Sequence, residues 1–232
     1  MGFLFCLAVF MSLLGGAVFA NVTCKWLNMN VHYVTSICAG ILCGFLFLEL
    51  IPHSFLENEF AFVLVGIALG FPLVYCIDQY AHNQLTSKMN QNKFSFYFLI
   101  LAITLHNVPS GLTLGNRKDG SGHLLEFIIF HHFPEGMSLM MVAMTAFLKK
   151  RQILLAFAFL SVSLYSVVLL GVHFPVNDSY IIGVLLGFSI STFVYVAIFE
   201  LLLPAVKYGS KSFHLLCALT GFFIVQVLLL IG

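Results

Sequence analysis

Charge is what this sequence has little of. Only 8% of its 232 residues are charged and 61% are hydrophobic, where a soluble domain carries roughly 25% charged residues. So few charges cannot cover a water-facing surface, which excludes a soluble globular domain and predicts an integral membrane protein. Basic clusters are scarce as well. Lys149, Lys150 and Arg151 form the one run, no aromatic residues are interleaved with basic ones, and the net charge is +1. A nucleic-acid partner is therefore not expected. The six cysteines include no CxxC pair and read as small buried hydrophobes. No linker or low-complexity stretch divides the chain, so residues 1–232 are expected to form a single transmembrane domain. The opening MGFLFCLAVFMSLLGGAVFA lacks the positive n-region of a signal peptide and reads as the first membrane helix.

What is present is a series of apolar runs of spanning length, at about 2–20, 33–53, 60–78, 94–115, 123–147, 152–173, 179–203 and 213–231. Backbone groups in lipid must bond internally, so these runs predict an all-α, polytopic bundle of eight transmembrane helices. The Lys/Arg count then sets the orientation. With the N-terminus outside, Lys25, Lys88, Lys93, Lys149, Lys150, Arg151, Lys207 and Lys211 face the cytosol, while Arg117 and Lys118 alone face outward. That split predicts both termini on the extracytosolic side.

Two motifs interrupt the apolar runs, HNVPSG at 106–111 and HHFPEG at 131–136. They lie on helices four and five, either side of the connection NRKDGSG. His106 and His131 are nearly equidistant from Asp119, so an antiparallel hairpin brings them level, roughly 12–14 Å below the outer helix ends at 1.5 Å per residue. That depth is close to the middle of a hydrocarbon core about 30 Å thick. His106 and Ser110 are four apart, His131 and Glu135 four apart, and His132 and Glu135 three apart, so each pair shares a helix face. Asn107 and His132 could line a neighbouring position. The candidate ligands are thus His106, Asn107, Ser110, His131, His132 and Glu135. Pro109 and Pro134 free the carbonyls of Leu105 and Phe130, which is tolerable at membrane depth where they line a polar cavity. Ionisable groups inside a membrane mark ion or proton pathways. Imidazole with carboxylate suits Zn²⁺, Fe²⁺ and related first-row ions rather than Mg²⁺ or Ca²⁺.

A second likeness joins helix two, FLFLELIPH, with helix seven, YVAIFELLLP. Together with the inverted pair of helices four and five it hints at an inverted repeat, helices one to three against six to eight. Glu49 stands three residues before Pro52 whereas Glu200 stands four before Pro204. Either glutamate could snorkel to the interface or serve as a relay ligand. Helix six has no ionisable group except Tyr165, and its serines are expected to bond to their own backbone.

The paired motifs, eight helices and AGILCGFLFLELIP resemble the ZIP (Zrt-/Irt-like) family of divalent metal transporters over the whole chain. The resemblance implies a binuclear site, with His106, Ser110, His131 and Glu135 at the first position and Asn107, His132 and Glu135 at the second. It implies Zn²⁺ or another divalent transition ion as substrate, import toward the cytosol, and often a homodimer. It also implies that helices one, four, five and six move against a scaffold of two, three, seven and eight. The chain departs from the family pattern in having Ser110 for an acid, no glutamate on helix six, Glu49 and His53 in reversed order, and Ala205 after the helix-seven proline. A transporter and not an enzyme is expected. Two other readings remain open: a metal-binding receptor or non-transporting relative, and an intramembrane zinc hydrolase, which would need three ligands and an open water position but has no HExxH.

Overall fold

The computed structural model describes residues 2–26, 30–85, 91–116, 123–174 and 178–231. Among these residues every regular element is helical. Eight rods follow one another: α1 (Gly2–Trp26), α2 (residues 31–57), α3 (Phe60–Leu85), α4 (Gln91–Asn116), α5 (His123–Thr145), α6 (Lys150–His173), α7 (residues 179–206) and α8 (Lys211–Ile231). Seven of them contain stretches long and apolar enough to cross a membrane. The eighth, α5, has 23 residues, on the order of 35 Å of helix, and carries the most polar motif. The protein is an integral, multi-pass membrane protein. The opening segment forms α1, long and apolar enough to cross a membrane, with Val9, Leu13, Ala17 and Ala20 buried in the bundle.

The closest packing joins four pairs: α1 with α5, α2 with α8, α3 with α7, and α4 with α6. Small residues make these contacts, as they do where lipid gives helices no hydrophobic reason to associate. A Cβ on Gly40 of α2 would lie 1.9 Å from the Ala218 carbonyl oxygen of α8, and one on Gly136 of α5 would lie 2.1 Å from that of Leu13 in α1. Gly66 meets Gly187 between α3 and α7, and Gly115 meets Gly171 between α4 and α6. Along α2, Ser36, Gly40 and Gly44 meet His214, Ala218 and Val225 in rising order, so the two helices run parallel. Rising order recurs in the other pairs: Leu13 and Cys24 meet Gly136 and Met141, Gly66 and Gly70 meet Gly187 and Ser191, and Gly111 and Gly115 meet Leu164 and Gly171. Each pair joins two odd or two even helices. Alternate crossing of one bilayer requires that of parallel neighbours.

Exchanging α1, α2 and α3 with α6, α7 and α8, and α4 with α5, turns the α1–α5 pair into α6–α4 and the α2–α8 pair into α7–α3. The packing is thus unchanged by the swap that an inverted repeat predicts. A second feature follows the same swap. α2 widens to a π turn over Leu46–Leu50, and α7 does so over Val196–Leu202. Glu49 lies in one turn and Glu200 in the other. Both turns end just ahead of a proline, Pro52 or Pro204, which supplies no N–H, and the ladder is re-registered there: Ile51 N–H donates to the Leu46 carbonyl and Leu203 N–H to that of Ile198. The seven-residue turn in α7 is longer than the five-residue turn in α2, matching the unequal spacing of glutamate and proline in the sequence.

Buried polar groups tie the bundle across its pairs. His214, fully buried, lies 2.7 Å from Ser36 Oγ through Nδ1 and 2.8 Å from the Tyr208 carbonyl through Nε2. The α7–α8 turn reverses at Gly209, whose φ of 119° a side chain would resist.

Candidate metal site

Both proline motifs are held in continuous helix, Pro109 within α4 and Pro134 within α5. On α4, His106 is fully buried. Its Nδ1 is hydrogen-bonded to Ser189 Oγ of α7, and its ring lies against Phe193, centroids 4.3 Å apart. Ser189 Oγ is also 3.3 Å from the His106 carbonyl oxygen. A hydroxyl has one proton to give. Given to the carbonyl, it leaves Oγ to accept from Nδ1–H, and that choice of tautomer puts the ring's lone pair on Nε2. Asn107 is also buried, and its Oδ1 receives no hydrogen bond among the described residues. Ser110, one turn on, is half-buried.

On α5, His132 Nδ1 is 3.0 Å from Glu135 Oε2, and both side chains are buried. The spacing of three residues that put them on one face in sequence brings them together in space. Ser138 Oγ donates to the Pro134 carbonyl at 2.9 Å. Glu135 and Ser138 line a cavity of about 10 Å³ together with Thr192 and Phe193 of α7 and Leu42 of α2. That is room for about one water molecule. Phe193 therefore stands between the two motifs, touching the His106 ring on one side and facing Glu135 across the cavity on the other. Glu135 is the one carboxylate in the cavity lining.

The backbone of His131 lies in α5, but its side chain is outside the described residues. Among those that are described, no three His, Cys, Asp or Glu groups meet where a metal could be held. The structure thus joins His132 to Glu135, sets His106 and Asn107 buried on the facing helix, and leaves Ser110 at the edge.

α7 brings residues that sequence reasoning passed over: Ser189, Thr192 and Phe193. Their signal was the polar run SISTF at 189–193 in the middle of an apolar helix. In α6, Ser161 and Ser166 behave as expected, each bonding to the carbonyl four residues back at 2.8 Å. Glu200 turns inward to a hydrogen bond with Ser95 of α4. Beside it, Tyr195 donates to Asp78 at 2.6 Å.

Fold and site together define a membrane-spanning helical bundle with an imidazole–carboxylate pair buried in its core. The family of ZIP zinc transporters matches residues 81–229, well over half of the chain, and the protein belongs to that family. A search of curated proteins gave no match. Membership makes the protein a transporter of divalent metal ions. The match spans α4 to α8, so α1 to α3 are tied to the rest by the packing symmetry above.

Proposed function

We propose that the chain carries a divalent transition ion, Zn²⁺ foremost, toward the cytosol through a site built from α4 and α5. The observation that carries this reading is the buried His132–Glu135 pair at 3.0 Å. A carboxylate in the core of a membrane protein is costly unless a cation compensates it, and Glu135 is among the residues that line the core cavity. Asn107 adds a buried carbonyl oxygen that receives no hydrogen bond among the described residues. His106, through Nε2, is the nitrogen offered from α4, with His131 and Ser110 completing the set. The donors are imidazole nitrogens and oxygens, which suit Zn²⁺, Fe²⁺ or Co²⁺ better than ions that want oxygen cages.

The Lys/Arg distribution supports both termini on the extracytosolic side. The four tight pairs support a division for movement. α1–α5 and α4–α6 fall within the group that the family resemblance sets in motion, and α2–α8 and α3–α7 fall within the scaffold. The single domain can act as a homodimer.

Uptake of ⁶⁵Zn²⁺ into proteoliposomes tests the proposal. Wild-type protein should accumulate the ion down its gradient. Glu135→Gln, which keeps shape and removes the charge, should lose at least nine-tenths of that uptake. Normal uptake by a well-folded Glu135→Gln protein would sink the site assignment, and absence of uptake by the wild type would favour the receptor reading.

A further inference from the structure

Below the imidazole–carboxylate pair the chemistry changes from nitrogen and oxygen to sulfur. Four of the chain's eight methionines, Met137, Met140, Met141 and Met144, lie on the next two turns of α5. Met137 and Met141 are buried in one cluster with Cys24 of α1 and Cys38 of α2, and Met140 and Met144 pack against it. Cys24 Sγ is 3.7 Å from Met141 Sδ. Two sulfurs bound to one metal at about 2.3 Å, at an angle near tetrahedral, are about 3.8 Å apart. In the ion's absence the Cys24 thiol donates a hydrogen bond to the Met141 thioether, and the same separation lets both sulfurs reach one ion once that proton leaves.

We propose that Cys24 and Met141, with Cys38 beside them, form a binding site for a soft monovalent d¹⁰ cation, Cu⁺ or Ag⁺. Thiolate and thioether ligands select such ions over harder divalent ones. Charge supports the choice. When the ion binds, the Cys24 S–H bond breaks, its electron pair stays on sulfur and forms the S–metal bond, and the proton leaves to the buffer. One thiolate with one M⁺ is neutral, which suits a cluster that includes the buried side chains of Val34, Ile41 and Val225. A divalent ion at the same place would leave an uncompensated charge in apolar surroundings. No step is a redox step. Met141 lies six residues beyond Glu135, about 9 Å along the helix, so the sulfur site is separate from the proposed transport site. Its ligands come from α1 and α5, which pack tightly together, and from α2 in the other group. With Cys38 kept as a neutral thiol at its edge, the occupied site would link the two groups to each other.

The test uses the full-length protein in detergent under anaerobic, reducing conditions. Cu⁺ is supplied from its complex with the chromophoric chelator bicinchoninate, and the first shell is read by X-ray absorption. One Cu⁺ per chain with a sulfur shell is expected. Cys24→Ser and the near-isosteric Met141→Leu should each lower the affinity at least tenfold while the proteins keep wild-type Zn²⁺ binding, which shows that they are folded. His132→Ala and Glu135→Gln should leave Cu⁺ binding unchanged, which separates this site from the transport site. The proposal is overturned if bicinchoninate strips all copper from the wild type. It is also overturned if the shell is nitrogen or oxygen, or if the Cys24→Ser and Met141→Leu proteins bind as the wild type does.

Discussion

Ser189 illustrates how much of the site depends on residues outside the two motifs. It engages His106 at the ring and at the backbone carbonyl, so it fixes both the tautomer and the direction in which Nε2 points. Partners of this kind are commonly worth 10–100-fold in metal affinity. Ser189→Ala should therefore weaken Zn²⁺ binding by about that factor, measured by calorimetry, while the helix content by circular dichroism stays unchanged. An unaltered affinity would mean that His106 is oriented by something else. Ser110 is the converse case, a position where charge is missing. With Glu135 the one carboxylate lining the cavity, a divalent ion leaves the site net positive, and uncompensated charge in low dielectric is costly. Ser110→Glu should raise the affinity and admit harder ions such as Mn²⁺, read by competition uptake against Zn²⁺. Two ions bound per wild-type chain, or no gain in the glutamate variant, would show this charge argument to be mistaken.

Among the elements, the two π turns show what the sequence offered and what it withheld. ELIP and ELLLP announced that α2 and α7 were related, but the unequal spacing hid how. Only the backbone reveals that each glutamate sits in a widened turn whose length differs to absorb the extra residue. The eight helices were legible because lipid imposes a long apolar run on each, and the motif residues because polar groups stand out against such runs. The α7 contribution was not legible. Serine and threonine in a membrane helix normally bond to their own backbone, as Ser161 does, so nothing in SISTF distinguished a serine that reaches across to α4. The pairing of helices was equally hidden, since glycines occur throughout and their partners lie far away in sequence. Those glycines carry a prediction. A side chain at Gly40 must displace the backbone of Ala218, so Gly40→Val should separate α2 from α8 and cost on the order of 1–3 kcal/mol. The measurement is the thermal transition of the detergent-solubilised protein, and a melting temperature equal to wild type would mean that the close approach is not needed.

For the whole molecule, orientation is directly testable. A single cysteine placed at Lys149, in a background with all six native cysteines replaced, should react with a membrane-impermeant maleimide only when the cytosolic side is exposed. One placed at Asp178 should react only from the opposite side. Reaction of both from one side would overturn the alternating topology. The packing has a further consequence, because the exchange that preserves the four tight pairs also carries the α4–α7 contact onto the α5–α2 contact. A backbone of this kind is indifferent to direction: let its two halves adopt unlike shapes, and trading those shapes yields the opposite-facing state with the same helix contacts and nearly the same free energy. What breaks the tie is written in side chains that have no counterpart. His106 and Ser189 meet through a hydrogen bond between α4 and α7, whereas counting from the glutamates and prolines puts Cys38 in the place of Ser189 and His131 in that of His106. We expect that mismatch to bias the balance between facing outward and facing inward, so a substitution at Cys38, which lies outside the proposed divalent-ion site, should shift the resting state.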